Sequence, residues 1–220
     1  MISRRKVLKS SIGLVSLSYA GVFKAFSQNK SDRFKIGACD WSIGQSSNVE
    51  AISLAKKIGL DGVQISLGNV SNDMHLRQDK VQKSYLEASR QYGVAIGGLA
   101  IGTLNSVPYK SDIRTEQWVS DSIDVAKIMG TKVILLAFFG KGDLKGDKAG
   151  TDEVIRRLKK VAPKAEENGI ILGIESWLSA KEHMVIIDAV GSPNVKVYYD
   201  VANSNKMGYN IYEEIRWLGK

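Results

Sequence analysis

Five glycines constrain this chain more than any other feature. Gly59, Gly93, Gly130, Gly169 and Gly191 each close an amphipathic run and open an apolar one. Their contexts are A-K-K-I-G-L-D-G-V, S-R-Q-Y-G-V-A-I, A-K-I-M-G-T-K-V, E-E-N-G-I-I-L and D-A-V-G-S-P-N-V. Glycine just past a helix end takes the left-handed conformation that turns the chain into the next element. The successive spacings are 34, 37, 39 and 22 residues, the size of one strand, one helix and their loops.

The apolar runs predict strands over Phe34–Cys39, Val63–Ser66, Val94–Ile101, Lys132–Phe138, Ile170–Glu175 and Val195–Asp200. They are nearly continuous, as expected of strands covered on both faces. Helical periodicity predicts helices over Val49–Ile58, Lys80–Tyr92, Thr115–Met129, Thr151–Asn168, Ala180–Val190 and Ile211–Leu218, with Asn48 and Thr151 as caps. Strict alternation implies an α/β fold with a parallel sheet and helices outside it. A closed TIM barrel has eight such units and about 250 residues. Six units are read here, so a TIM-barrel-like (β/α) repeat lacking its last two units at the C-terminal end is expected. An open doubly wound parallel sheet is the other arrangement that this alternation allows. The turn after the first strand, C-D-W-S-I-G-Q-S-S, lacks a glycine-rich dinucleotide pattern, which disfavours that sheet in its cofactor-binding form.

The first 27 residues stand apart. M-I-S-R-R-K-V-L-K is basic, Ile12 to Phe23 is mildly apolar and too short to span a bilayer, and Ala25-Phe26-Ser27 suits cleavage. Ser3-Arg4-Arg5-Lys6-Val7-Leu8-Lys9 resembles the twin-arginine export signal, with Val7 where phenylalanine is usual. Residues 1–27 are therefore expected to be an export signal peptide delivering residues 28–220 to the periplasm. These 27 residues carry five basic side chains and no acid, so the net charge of +8 falls to +3 beyond them, 26 basic against 23 acidic. That balance argues against a nucleic-acid partner. One cysteine, Cys39, excludes an internal disulfide framework.

The candidate chemistry lies at two successive strand ends. I-I-L-G-I-E-S-W stops at Glu175 and V-K-V-Y-Y-D-V-A-N at Asp200, with one short helix between them. A helical crossover makes the two strands parallel, so both acids emerge at the same edge of the sheet, where such folds hold their ligands. Two neighbouring carboxylates suit a divalent cation or acid and base work on a small substrate; a solvated acid capping each loop is the plainer alternative. Asp40 and Trp41 follow the first strand and are expected to face the mouth, as is Trp177 after Glu175. An aromatic ring there suits stacking on a sugar. His183, early in its helix, is expected to face solvent, and Cys39 to be a small core residue.

From Phe34 onward the chain resembles the sugar phosphate isomerase/epimerase family, the xylose-isomerase-like TIM barrels. The residues that carry the resemblance are G-A-C-D-W-S, L-G-I-E-S-W-L-S-A and V-G-S-P-N-V-K-V-Y-Y-D-V-A-N-S. The resemblance implies a divalent-metal-dependent sugar or keto-sugar isomerase or epimerase that moves a proton through an enediolate. It implies Glu175 as metal ligand and catalytic base and Asp200 as metal ligand. The cation is commonly manganese in the family, with magnesium, cobalt or zinc as alternatives. Asn203 stands where several epimerases have a substrate-binding histidine. A histidine from a seventh strand and a second glutamate from an eighth complete the family site and have no counterpart in these six units. A truncated or degenerate barrel without turnover, weakly binding a carbohydrate or a partner, is therefore the second reading. Self-association is expected of an open arc with two unpaired edges. A nuclease of the abasic-site type has a similar barrel, but its zinc cluster needs more than His75 and His183.

Overall fold

The computed structural model describes residues 34–219, so the expected export signal lies outside the described residues. Six strands pair in sequence order, every neighbour parallel: β1 Gly37–Cys39, β2 Gly62–Ser66, β3 Ala95–Ile101, β4 Val133–Phe138, β5 Ile171–Ser176 and β6 Val195–Val197. The helices between and after them are α1 Glu50–Ile58, α2 Asp79–Tyr92, α3 Arg114–Met129, α4 Lys148–Glu167, α5 Ala180–Val190, α6 Val201–Lys206 and α7 Ile211–Leu218. This is the α/β repeat expected from the glycine spacing. All five glycines have positive φ, between 63° and 83°. β4 and β5 run in register from Val133 opposite Ile171 to Phe138 opposite Ser176. Between β2 and β3 the register slips once, leaving Gly97 as the extra residue of a bulge.

The sheet is two-faced, although its strands read as continuous apolar runs. Val63, Ile65, Ile101, Ile134, Leu136, Phe138, Leu172 and Ile174 face the helices and are fully buried in the main core. Each such side chain contributes about 1.5–3 kcal/mol. The alternate residues form a separate small cluster of Ala100, Leu135 and Ala137, with Tyr198 packed against it. Small side chains on this inner face leave room above it. Gly173 is one of them: a Cβ there would lie 3.0 Å from the Tyr198 ring.

Two boundaries differ from expectation because a side chain caps a helix there, and a third, at α5, falls where expected. β6 ends at Val197 instead of Asp200, because Asp200 is the N-cap of α6 and accepts from Asn203 N–H at 2.8 Å. α4 starts at Lys148, capped by Asp147 instead of Thr151, and Asp147 accepts from Gly150 N–H at 2.8 Å. α5 opens with a reciprocal cap: Ser179 Oγ accepts from Glu182 N–H at 3.3 Å, and Glu182 accepts from Ser179 N–H at 2.7 Å. Ser179→Ala is expected to cost about 1 kcal/mol in urea unfolding. An unchanged midpoint would show that this cap adds nothing. No helix among the described residues is long and apolar enough to cross a membrane.

Candidate active site at the carboxyl ends of the strands

β5 carries Glu175 to the sheet edge opposite Ala137 of β4. There its side chain lines a cavity of about 650 Å³ together with Asp200, Trp41, Gln64, Phe139 and Tyr198, among others. Glu175 is half-buried, and its carboxyl is pushed up to about 7. Burial is the largest cause, followed by the charge of Asp200 and the hydrogen bond between the two acids. Asn203 braces the pair: its backbone N–H goes to Asp200, and its amide Nδ2 donates to Glu175 Oε1 at 3.3 Å.

Of the six residues expected at the site, Glu175, Asp200 and Trp41 line the cavity, and Trp41 is 42% exposed. Asn203 lies behind the acids and holds them. The expectation that Asp40 and Trp177 face the mouth is corrected. Asp40 is fully buried and accepts from Ser66 N–H at 2.8 Å, Ser66 Oγ at 2.7 Å and Ser47 N–H at 3.1 Å. Its carboxylate is consumed in joining the loop after β1 to the end of β2. The Trp177 ring packs edge-on against Phe139 at 5.4 Å, with Lys206 Nζ at 5.9 Å from its centroid.

Several residues escaped the sequence reading. His183 does not face solvent but is 3% exposed, one helical turn from buried Ala180 and Ile186. Its Nδ1 meets the Ser179 carbonyl at 3.0 Å, so that nitrogen carries the proton, and Nε2 accepts from Ser176 Oγ at 2.9 Å. Burial lowers its pKa. The pair fixes the residue next to Glu175. The inward phase with Ala180 and Ile186 was the available signal. Cys39 lines the cavity instead of the core, and its thiol donates to Gln64 Oε1 at 3.2 Å. Burial pushes that thiol up to about 11, which makes it a poor nucleophile. Gln64 Nε2 in turn donates to Tyr198 Oη at 3.3 Å, linking β2 to the end of β6 across the inner face. Gln64, a lone amide within an apolar strand, was the signal for this contact.

Two carboxylates offer hard oxygen donors of the kind that magnesium or manganese takes. Burial raises Glu175 most, and the charge of Asp200 adds to it; a dication would offset both. The residues present therefore fit such an ion as two of its ligands. Among the described residues, no three His, Cys, Asp or Glu side chains converge on a common point.

The fold and this strand-end site define a TIM-barrel-like α/β protein, and residues 52–219 match the family model described as "Xylose isomerase-like TIM barrel". The chain belongs to that family, so the resemblance carried by the strand-end motifs is borne out at family level. The 2-epi-5-epi-valiolone 7-phosphate 2-epimerase of Actinoplanes sp. is 23% identical over 175 residues, covering 79% of this chain. The chain spans 64% of the length of that curated relative. Among solved structures, D-psicose 3-epimerase with D-tagatose from Clostridium cellulolyticum H10 is 19% identical, with a TM-score of 0.69 over 84% of this chain and 70% of that one. A xylose isomerase-like TIM barrel protein from Mycobacterium smegmatis in complex with magnesium is 14% identical, with a TM-score of 0.66 over 87% and 73%. At these identities the structural likeness establishes the fold.

Proposed function

We propose that this chain carries part of the active site of a divalent-metal-dependent sugar or keto-sugar isomerase or epimerase. The single observation behind this is Glu175, a carboxyl raised to about 7 beside Asp200 in a cavity at the carboxyl ends of a parallel sheet. A base near neutrality is partly ionised at working pH, yet its conjugate acid holds a proton well enough to return it. The epimerases among the relatives support the reaction class, and the magnesium in one solved relative supports a divalent cation. We assign Glu175 and Asp200 as the cation's ligands, with manganese as the first choice of ion. When bound, such an ion would polarise the substrate carbonyl. Glu175 takes the proton from the carbon beside that carbonyl and returns it to the resulting enediolate. Asn203 holds Glu175 at that position, and the exposed Trp41 ring covers one face of the sugar. Return to the same face by one base supports isomerisation; inversion requires a second group on the opposite face. Residues 1–27 we assign as an export signal that delivers the folded domain to the periplasm.

Ketoses incubated with the full chain and manganese in deuterated water should gain deuterium at the carbon next to the carbonyl, followed by NMR. If no ketose or keto-sugar in a broad panel exchanges, the assignment fails. The second reading, a barrel that binds carbohydrate without turnover, is favoured by the two-ligand donor set, and binding without exchange would establish it.

A further inference from the structure

Two asparagines on the rim away from the acids are locked in orientation by their carbonyl oxygens. Asn69 Oδ1 accepts from Ser71 N–H at 2.9 Å, Ser71 Oγ at 2.6 Å and Asn72 N–H at 3.2 Å. Asn105 Oδ1 accepts from Phe139 N–H at 2.9 Å. Both residues line the cavity that holds Glu175 and Asp200. A backbone N–H only donates, so the oxygen and nitrogen ends of each side-chain amide are settled. The group each has left to offer is an NH2 donor. The wall that carries them is stiff. Thr103 Oγ1 donates to the Gly68 carbonyl at 2.9 Å, tying the loop after β3 to the loop after β2. The Asn105 bond ties the same loop to the end of β4. Gly142 passes so close that a Cβ on it would lie 2.6 Å from the Leu104 carbonyl oxygen. Donors prepared in this way spare a ligand the ordering cost of binding.

We propose that Asn69 and Asn105 form a ligand-binding subsite for the uncharged, hydroxyl-bearing part of a sugar, remote from the carbon that Glu175 works on. This rests on the function proposed above. Amide NH2 groups suit hydroxyl and carbonyl oxygens. The charged side chains lining the cavity, among the described residues, are the two acids assigned to the cation, Glu175 and Asp200, so the lining offers a phosphate no lysine or arginine to pair with. The subsite therefore takes a free sugar in preference to its phosphate ester.

The test is titration calorimetry on the full chain with manganese, using D-fructose and D-fructose 6-phosphate as probes. N69D and N105D keep the acceptor that anchors each loop and remove the donor. N72D alters the same turn, at a residue that does not line the cavity, and controls for the added charge. D-fructose should bind more tightly than its phosphate. Its affinity should fall about tenfold in N69D and in N105D and stay unchanged in N72D, with melting temperatures preserved. Equal affinity in all four chains, or tighter binding of the phosphate, would overturn the subsite and leave the exchange chemistry of Glu175 intact. If the wild-type chain holds neither sugar, the subsite and the proposed function fall together.

Discussion

Glu175→Gln is expected to abolish the response to manganese and sharply slow proton exchange while making the metal-free protein more stable at pH 8. The carboxyl has a pKa of about 7 in the fold against an ordinary 4.5. Below pH 4.5 it is protonated in both folded and unfolded chains and costs nothing. As the pH rises toward 7 the unfolded chain ionises freely and the folded one resists, so stability is lost through that window and stays lost above it. Glutamine mimics the protonated form at every pH. The variant should match the wild type at pH 4 and exceed it at pH 8 by about 1–2 kcal/mol, allowing for the group's contact with solvent. Manganese at a hundred times its dissociation constant should stabilise the wild type by about 2.7 kcal/mol and the variant not at all. Because the ion must displace a proton, its affinity should fall with pH below 7. Exchange should drop by about 10²–10⁴. An equal manganese response in the two proteins would remove Glu175 from the metal site.

Asp40→Ala should be the costliest of these substitutions to the fold, at about 3 kcal/mol or more. It strands the buried backbone N–H of Ser66, the partly buried one of Ser47 and one hydroxyl. Both N–H groups share Oδ2, while Oδ1 takes only the Ser66 hydroxyl, which is free to rotate. Asn with its oxygen at the Oδ2 position keeps both N–H bonds and donates to that hydroxyl. Asp40→Asn should therefore cost about 1 kcal/mol. Ser47 lines the cavity with φ at 56°, in the left-handed region, and the Asp40 bond helps to hold it there. Urea unfolding of the two variants measures the difference. Equal costs would mean that the acceptor at Oδ2 is not what matters.

The parts of this molecule that are legible in its sequence are those decided locally. A glycine with positive φ after a helix is a property of a few consecutive residues, and all five predicted stops hold. The order and type of the six strand-helix units follow from them. The end of β6 was misread because V-K-V-Y-Y-D continues an apolar run, whereas Asp200 captures Asn203 N–H and starts a helix that strand propensity does not reveal. Thr151 lost the capping position to Asp147, which Lys110 also holds through a 2.9 Å ion pair. At the site, Glu175 and Asp200 could be picked out as acids ending apolar runs. Asp40 has the same sequence appearance, but its donors lie 7 and 26 residues further on, and they turn it inward. Gln64 and Tyr198 meet across 134 residues, a separation that leaves no local pattern.

The unequal strand lengths set up a gradient of local opening across the sheet. β4 and β5 share six paired residues, whereas β6 has three and pairs only with β5 among the described strands. Amide hydrogens in the middle of the sheet should exchange with solvent only in rare global openings, and those of β6 through frequent fraying. Glu175 rides on the slow side of that boundary and Asp200 just beyond the fast side. An ion or sugar held by both acids would have to quiet the fraying strand in order to bind. Part of its affinity would be spent there, and slowed exchange in β6 would report occupancy before any chemistry is detected.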